Sequence, residues 1–222
     1  MKPIFEGEVY EILPLSNGIM FSYCNEVINN EIVVSYKMIS FEDGRINDIT
    51  KNVFLGEKFG NNYANVIKKC NNYITDKAIT LPSGKMLIHS RNGVLKLIDT
   101  EAEVVWEGKL TYRDYNASDI IIHKNNLWAC FRDCDILLRY NLSTMREELR
   151  IGGKKSPFNM PRRMFLDGNE AFVSNMGSKK VNRVNLESYT VNDEFEFEEE
   201  VLQYVKADIY RFVILRSGIY MV

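Results

Sequence analysis

A hidden repeat of about 40 residues restricts this chain more than any other feature of its sequence. The stretch from Gly84 to Arg91 runs on into Gly93 to Asp99, that from Asn125 to Arg132 into Asp135 to Asn141, and that from Gly168 to Asn175 into Lys180 to Asn185. Each reads as a hairpin: a turn residue opens an apolar strand, a polar turn follows, and a second strand ends on Asp99, Asn141 or Asn185. Those three side chains can accept from their own downstream backbone and send the chain into a further strand, Glu103 to Gly108, Glu147 to Ile151 and Thr190 to Phe195. Another strand lies just upstream of each hairpin: Ala78 to Leu81, Asp119 to His123 and Arg163 to Leu166. Four short strands in such a length make one blade of a β-propeller.

Two more units flank these three. Near the start, Gly18 to Asn25, Ile32 to Phe41 and Arg45 to Asn52 follow the same rhythm, with Asp43-Gly44 as a turn. At the end, Leu202 to Ala207, Arg211 to Arg216 and Gly218 to Val222 supply three strands only. The missing fourth is found at the beginning, because the residues Pro3 to Gly7 read like the fourth strand Val104 to Gly108, and Ile4 to Gly7 can pair with Gly218 to Val222 of the last blade, removing the open sheet edges. The expectation is an all-β fold: a single five-bladed propeller over residues 1–222, closed by the N-terminal strand, with almost no helix. The Asn- and Gly-rich connection 51–76 breaks the repeat; it reads as a long inter-blade loop, with a turn or two of helix around Tyr63 to Cys70, capping one side of the channel mouth.

Apolar residues make up 45% and charged residues 26% of the 222, enough for a packed core. With 28 Lys and Arg against 30 Asp and Glu, the net charge of −2 argues against a nucleic-acid binder as a whole. No apolar run suits a membrane span or signal peptide, so the expected location is cytoplasmic. Cys24, Cys70, Cys130 and Cys134 lack metal-like spacing and are expected as thiols. The two histidines, His89 and His123, have no companion ligands at such spacing, and no cofactor or metal is expected. The acidic run Glu194 to Glu200 alternates with Phe195 and Phe197 and reads as a half-exposed outer strand.

One blade carries a resemblance. Gly152 to Pro161, with its Phe158-Asn159-Met-Pro161 entry, then Met164 to Asn175 containing Asp167-Gly168-Asn169, then Val181 to Asn185, resembles a blade of the NHL, YncE-like and streptogramin-lyase-like propellers. The other blades keep the hydrophobic rhythm without that entry. The resemblance implies a propeller, and those lyases imply a histidine and a carboxylate near the central channel, but no motif transfers these roles to particular residues here.

Counting seven residues from each blade's opening turn gives a polar ring: Asn25, Arg91, Arg132 and Asn175, with Arg216 one residue out of step. The turns between second and third strands share a face with the loops entering the first strands, which add Tyr112, Arg113, Tyr115, Lys154, Lys155, Phe158, Asn159, Arg162 and Arg163. Arginine and aromatic side chains together suit an anionic or planar partner. The alternative is that each arginine bonds a neighbouring acid such as Asp114 or Asp133. The leading expectation is therefore a non-catalytic binding or scaffold module for an acidic small molecule, glycan or protein at the channel mouth. The competing one is a lyase or glycosidase acting on a cyclic ester or carbohydrate, which needs facing carboxylates or a histidine and carboxylate along the channel.

Overall fold

In the computed structural model, which describes residues 1–74 and 76–222, five antiparallel four-stranded sheets stand around a common axis. Blade 1 contains Val9–Pro14, Gly18–Ile28, Glu31–Ser40 and Ile46–Asp48. Blade 2 contains Lys77–Thr80, Met86–His89, Val94–Ile98 and Val104–Lys109, and blade 3 contains Asp119–His123, Asn126–Phe131, Ile136–Asn141 and Glu147–Gly152. Pro161–Asp167, Glu170–Asn175, Lys180–Asn185 and Val191–Glu196 form blade 4. Blade 5 joins Val201–Ala207, Tyr210–Leu215 and Gly218–Met221 to Pro3–Glu6 from the other end of the chain.

The closing pairing is antiparallel, with Phe5 opposite Ile219 and Glu6 opposite Gly218, and the Gly7 N–H donates to Ser217 O at 2.9 Å. Gly218 sits at φ +154 and could bear no Cβ, since that atom would fall 2.0 Å from Phe5 O. The turns read from sequence form as expected. Asp99 Oδ1 accepts from Glu101 N and Glu103 N, Asn141 Oδ1 from Ser143 N and Thr144 N, and Asn185 Oδ1 from Glu187 N and Ser188 N.

Both faces of each blade are covered, so strand alternation feeds two cores at once. In Asn126–Phe131, Leu127, Ala129 and Phe131 pack toward blade 2, while Trp128 and Cys130 pack toward blade 4. Five hydrophobic clusters result, one in each gap between blades.

The connection 51–76 departs from the expected loop, although Thr75 lies outside the described residues. The fourth strand of blade 1 ends at Asp48 instead of running to Asn52, and Thr50 caps a helix, Lys51–Phe59, by accepting from Val53 N at 3.3 Å. Tyr63–Val66 and Ile67–Lys69 add two short helical turns. Phe54, Leu55, Phe59 and Val66 are buried against Met20, Tyr36, Ile88 and Ile98, so the segment is a wedge between blades 1 and 2. Its apolar residues, hidden among Asn and Gly, fill the gap that the three-residue outer strand of blade 1 leaves.

Candidate functional site

The innermost strands meet at the axis, and strand pairing aligns one residue from each. Glu11, Lys77, Asp119, Arg163 and Gln203 stand opposite Ser22, His89, Cys130, Ser174 and Ile214 of the neighbouring second strands. Their charges alternate around the ring until Gln203, and they bond from blade to blade. Lys77 Nζ reaches Asp119 Oδ2 at 2.9 Å and Met164 O at 3.0 Å; Arg163 Nη1 lies 3.5 Å from Asp119 Oδ1. Gln203 bridges to both Ile12 N and Ile12 O at 3.0 Å. Glu11 takes its counter-charge from the wedge, where Lys58 Nζ sits 2.5 Å from Glu11 Oε2 and 2.9 Å from Tyr73 O. Burial alone would raise the Asp119 carboxyl, yet Lys77, Arg163 and the Met164 N–H outweigh it and hold it below the usual range.

This belt closes the axis below the mouth and absorbs Arg163, which is buried and is not among the residues lining the cavity above. His89 stands beside it. Burial pushes the imidazole down to about 4, with Asp119 opposing and Arg163 and Lys77 reinforcing the effect. A histidine and a carboxylate therefore do approach one another, but at 1% and 0% exposure neither meets solvent, and Asp119 is ion-paired with both belt cations, Lys77 and Arg163.

Above the belt lies a cavity of about 390 Å³ whose wall includes Arg91, Arg132, Arg162, Asp114, Tyr115, Asp133 and Met176. Two of its arginines lack an acid. Among the described residues Arg91 has no ion pair, and the one hydrogen-bond contact of Arg162 is Met176 Sδ at 3.8 Å. Arg132 is held by Asp133 at 3.0 Å and Arg216 by Glu200 at 2.7 Å. Burial, then the guanidiniums of Arg91, Arg163, Arg216 and Arg132, lower Arg162 to about 9; burial and Arg163 lower Arg91 to about 10 against the pull of Asp119 and Glu11. Arginine stays charged at neutral pH even so; burial is the larger cause of both shifts, and the neighbouring guanidiniums add to it.

The structure corrects the register of the ring. Asn17, Asn125 and Asn169 are equivalent, each giving its carbonyl to the residue after a third strand: Phe41, Leu142 and Leu186. Seven residues on lie Cys24, Arg132 and Met176, each two residues past the partner of a belt residue, and the same offset in blades 2 and 5 gives Arg91 and Arg216. Arg216 is in step. Asn175 is not: it is fully buried inside blade 4, where its Nδ2 donates to Val173 O at 2.9 Å and Asn182 Oδ1 at 2.8 Å. Asn25 is exposed at a bulge in the long hairpin of blade 1. Asn159 is exposed and anchored on the blade 4 turn, its N–H donating to Asn175 Oδ1 at 3.3 Å, while Phe158 is buried between blades.

Tyr112 and Arg113 belong to a small extra hairpin, Thr111–Tyr112 paired with Tyr115–Asn116, between blades 2 and 3. They border a second cavity of about 380 Å³ with Arg150, Gly152, Gly153 and Lys154. The belt and this hairpin were missed in the sequence. The signal for the belt is one charged or amide residue near the start of each apolar inner strand, as in Asp119-Ile-Ile-Ile. Among the described residues no three potential metal-ligating side chains gather at one point, and no helix is long and apolar enough to cross a membrane.

No known family and no curated protein matches this chain. Its shape is similar to solved propellers. A streptogramin B lyase aligns with a TM-score of 0.53 at 9% identity, over 98% of this chain and 69% of the lyase. A catalytically inactive virginiamycin B lyase from Staphylococcus aureus, with quinupristin, gives 0.53 at 12% identity, over 95% of this chain and 64% of that one. The Saccharomyces cerevisiae protein Sqt1 gives 0.50 at 14% identity, over 96% and 71%. This chain thus spans about two thirds of the length of these propellers, and at such identities the likeness establishes the fold alone.

Proposed function

We propose that the protein is a binding module that holds an anionic ligand in the arginine-lined cavity at the channel mouth. The observation that carries this reading is the pair Arg91 and Arg162, which share one cavity with Arg132 and have no carboxylate of their own. Cations gathered in a partly dry site repel one another, and an anion entering between them relieves that repulsion while accepting forked hydrogen bonds. A catalytic reading draws less support, because His89 and Asp119 lie sealed within the belt and, of the two cavity carboxylates Asp114 and Asp133, the second is engaged by Arg132. The test is calorimetric titration of inorganic pyrophosphate at low and high salt. Binding should weaken as salt rises, and the double variant Arg91→Ala/Arg162→Ala should lose at least about tenfold in affinity, since each charge-assisted hydrogen bond contributes roughly 1.5–3 kcal/mol. Its melting temperature should hold or rise. Absence of binding by the natural protein, or undiminished binding by the double variant, would overturn the reading.

A further inference from the structure

The arginine cavity does not stand alone, for its wall continues into the second cavity through two shared residues, Tyr115 and Asp133. Each volume falls within the roughly 300–1,000 Å³ typical of small-molecule sites. Tyr115 is 49% exposed at this junction, and among the described residues its ring has no aromatic or cationic neighbour. By contrast Tyr112 is already occupied, with the guanidinium of Arg113 5.3 Å and that of Arg150 4.7 Å from its ring centre.

The hairpin that presents Tyr115 is held in an unusual way. Its two turn residues, Arg113 and Asp114, both adopt left-handed backbone, with φ of 48° and 67°. Two-residue hairpins of this kind ordinarily use Asn-Gly, and an ordinary side chain costs about 1 kcal/mol or more at each such position. Strain of this sort persists where the surrounding structure fixes a local geometry, and here it sets the free Tyr115 ring between the two cavities.

Tyr115 offers a flat apolar face. The Asp114 carboxylate, on the wall of the same cavity and without an ion pair among the described residues, can accept N–H groups from the edge of a ring, and only the first cavity holds the unpaired arginines Arg91 and Arg162. An anionic group next to a planar group that carries N–H donors matches this division. We propose that the two cavities are halves of one nucleotide site, with phosphates among Arg91, Arg132 and Arg162 and the base stacked on Tyr115 at the entrance to the second cavity. The proposal rests on the anion-binding reading of the first cavity.

The test compares inorganic pyrophosphate with the common nucleoside 5′-diphosphates by calorimetry on the full chain. At least one nucleotide should bind about tenfold or more tightly than pyrophosphate, the gain expected of one base–aromatic stack. Tyr115→Ala should remove that margin and leave pyrophosphate binding intact, which also reports a folded cavity, and Tyr115→Phe should keep it. If pyrophosphate binds and no nucleotide exceeds it, or if the margin survives Tyr115→Ala, the nucleotide assignment is overturned while the anion site stands. If neither binds, both fall. An acidic peptide that outcompetes every nucleotide would also overturn the assignment.

Discussion

Replacing Gly218 by alanine tests whether closure by the first strand holds the ring together. At φ +154 a Cβ is strained, and here it would lie 2.0 Å from Phe5 O and 3.1 Å from Glu6 Cα, so the closing strand must move. Backbone strain alone costs about 1–3 kcal/mol. Moving the strand also lengthens the Gly7 to Ser217 hydrogen bond and draws the Phe5 ring from Phe21 and Tyr23, whose centres are 4.7 and 4.9 Å away. One hydrogen bond at about 1 kcal/mol and two aromatic pairs at about 0.5–1.5 kcal/mol each bring the loss to roughly 3–7 kcal/mol. For a chain of this size that lowers the melting temperature by about 10–20 °C. Gly168→Ala is the control, because Gly168 has φ +60 with nothing within 4 Å of the added Cβ. It should pay only the left-handed penalty of about 1–2 kcal/mol. Thermal unfolding followed by circular dichroism, with exchange protection of the Gly7 amide as a local probe, reads both. A Gly218→Ala protein that melts within about 3 °C of Gly168→Ala would refute the reasoning, since the two would then differ by no more than about 1 kcal/mol.

Asp119→Asn should destabilise the protein by about 3–5 kcal/mol in urea denaturation, because it strips Lys77 and Arg163 of a shared buried counter-charge. A loss below about 1 kcal/mol would mean that the belt is held by its other bonds. His89, lowered from 6.5 to about 4, stays neutral in the folded protein while the unfolded chain takes up a proton below pH 6.5. Stability should therefore fall by about 3 kcal/mol as pH drops from 6.5 to 4, and His89→Gln should flatten this slope; an unchanged slope would show that His89 is not its source. The depressed Asp119 carboxyl acts in the same direction at lower pH, its contribution disappearing as pH falls from the ordinary carboxylate range through its folded value.

Strand order, turn chemistry and ring closure were legible because each depends on local pattern. Asp99, Asn141 and Asn185 announce their turns within three or four residues, and Ile4 to Gly7 has the look of an outer strand wherever it lies. The ring was half legible. Arg91 and Arg132 fell at the mouth, but Asn175 did not, because the count began at Gly168 when Asn169 is the residue equivalent to Asn125. One residue of error in a strand turns a side chain from the mouth into the blade. The belt was not legible, since Lys77, Asp119 and Arg163 lie far apart in sequence and nothing local marks them as partners. The wedge helix was obscured for a different reason: its stability comes from three apolar side chains, Phe54, Leu55 and Phe59, buried against blades 1 and 2, not from helical propensity.

The belt also bears on how the five blades can be arranged. Five sheets of similar shape could in principle stack in many orders. Lys77, Asp119 and Arg163 do discriminate: exchanging blades 3 and 4 would set Lys77 against Arg163 and leave Asp119 beside the uncharged Gln203. Glu11 is satisfied by Lys58, a residue found only on the wedge that follows blade 1. The axis thus works as a keyed lock that rejects every order setting like charges side by side, so a chain whose blades are shuffled in that way should fail at its centre before it fails at its surface.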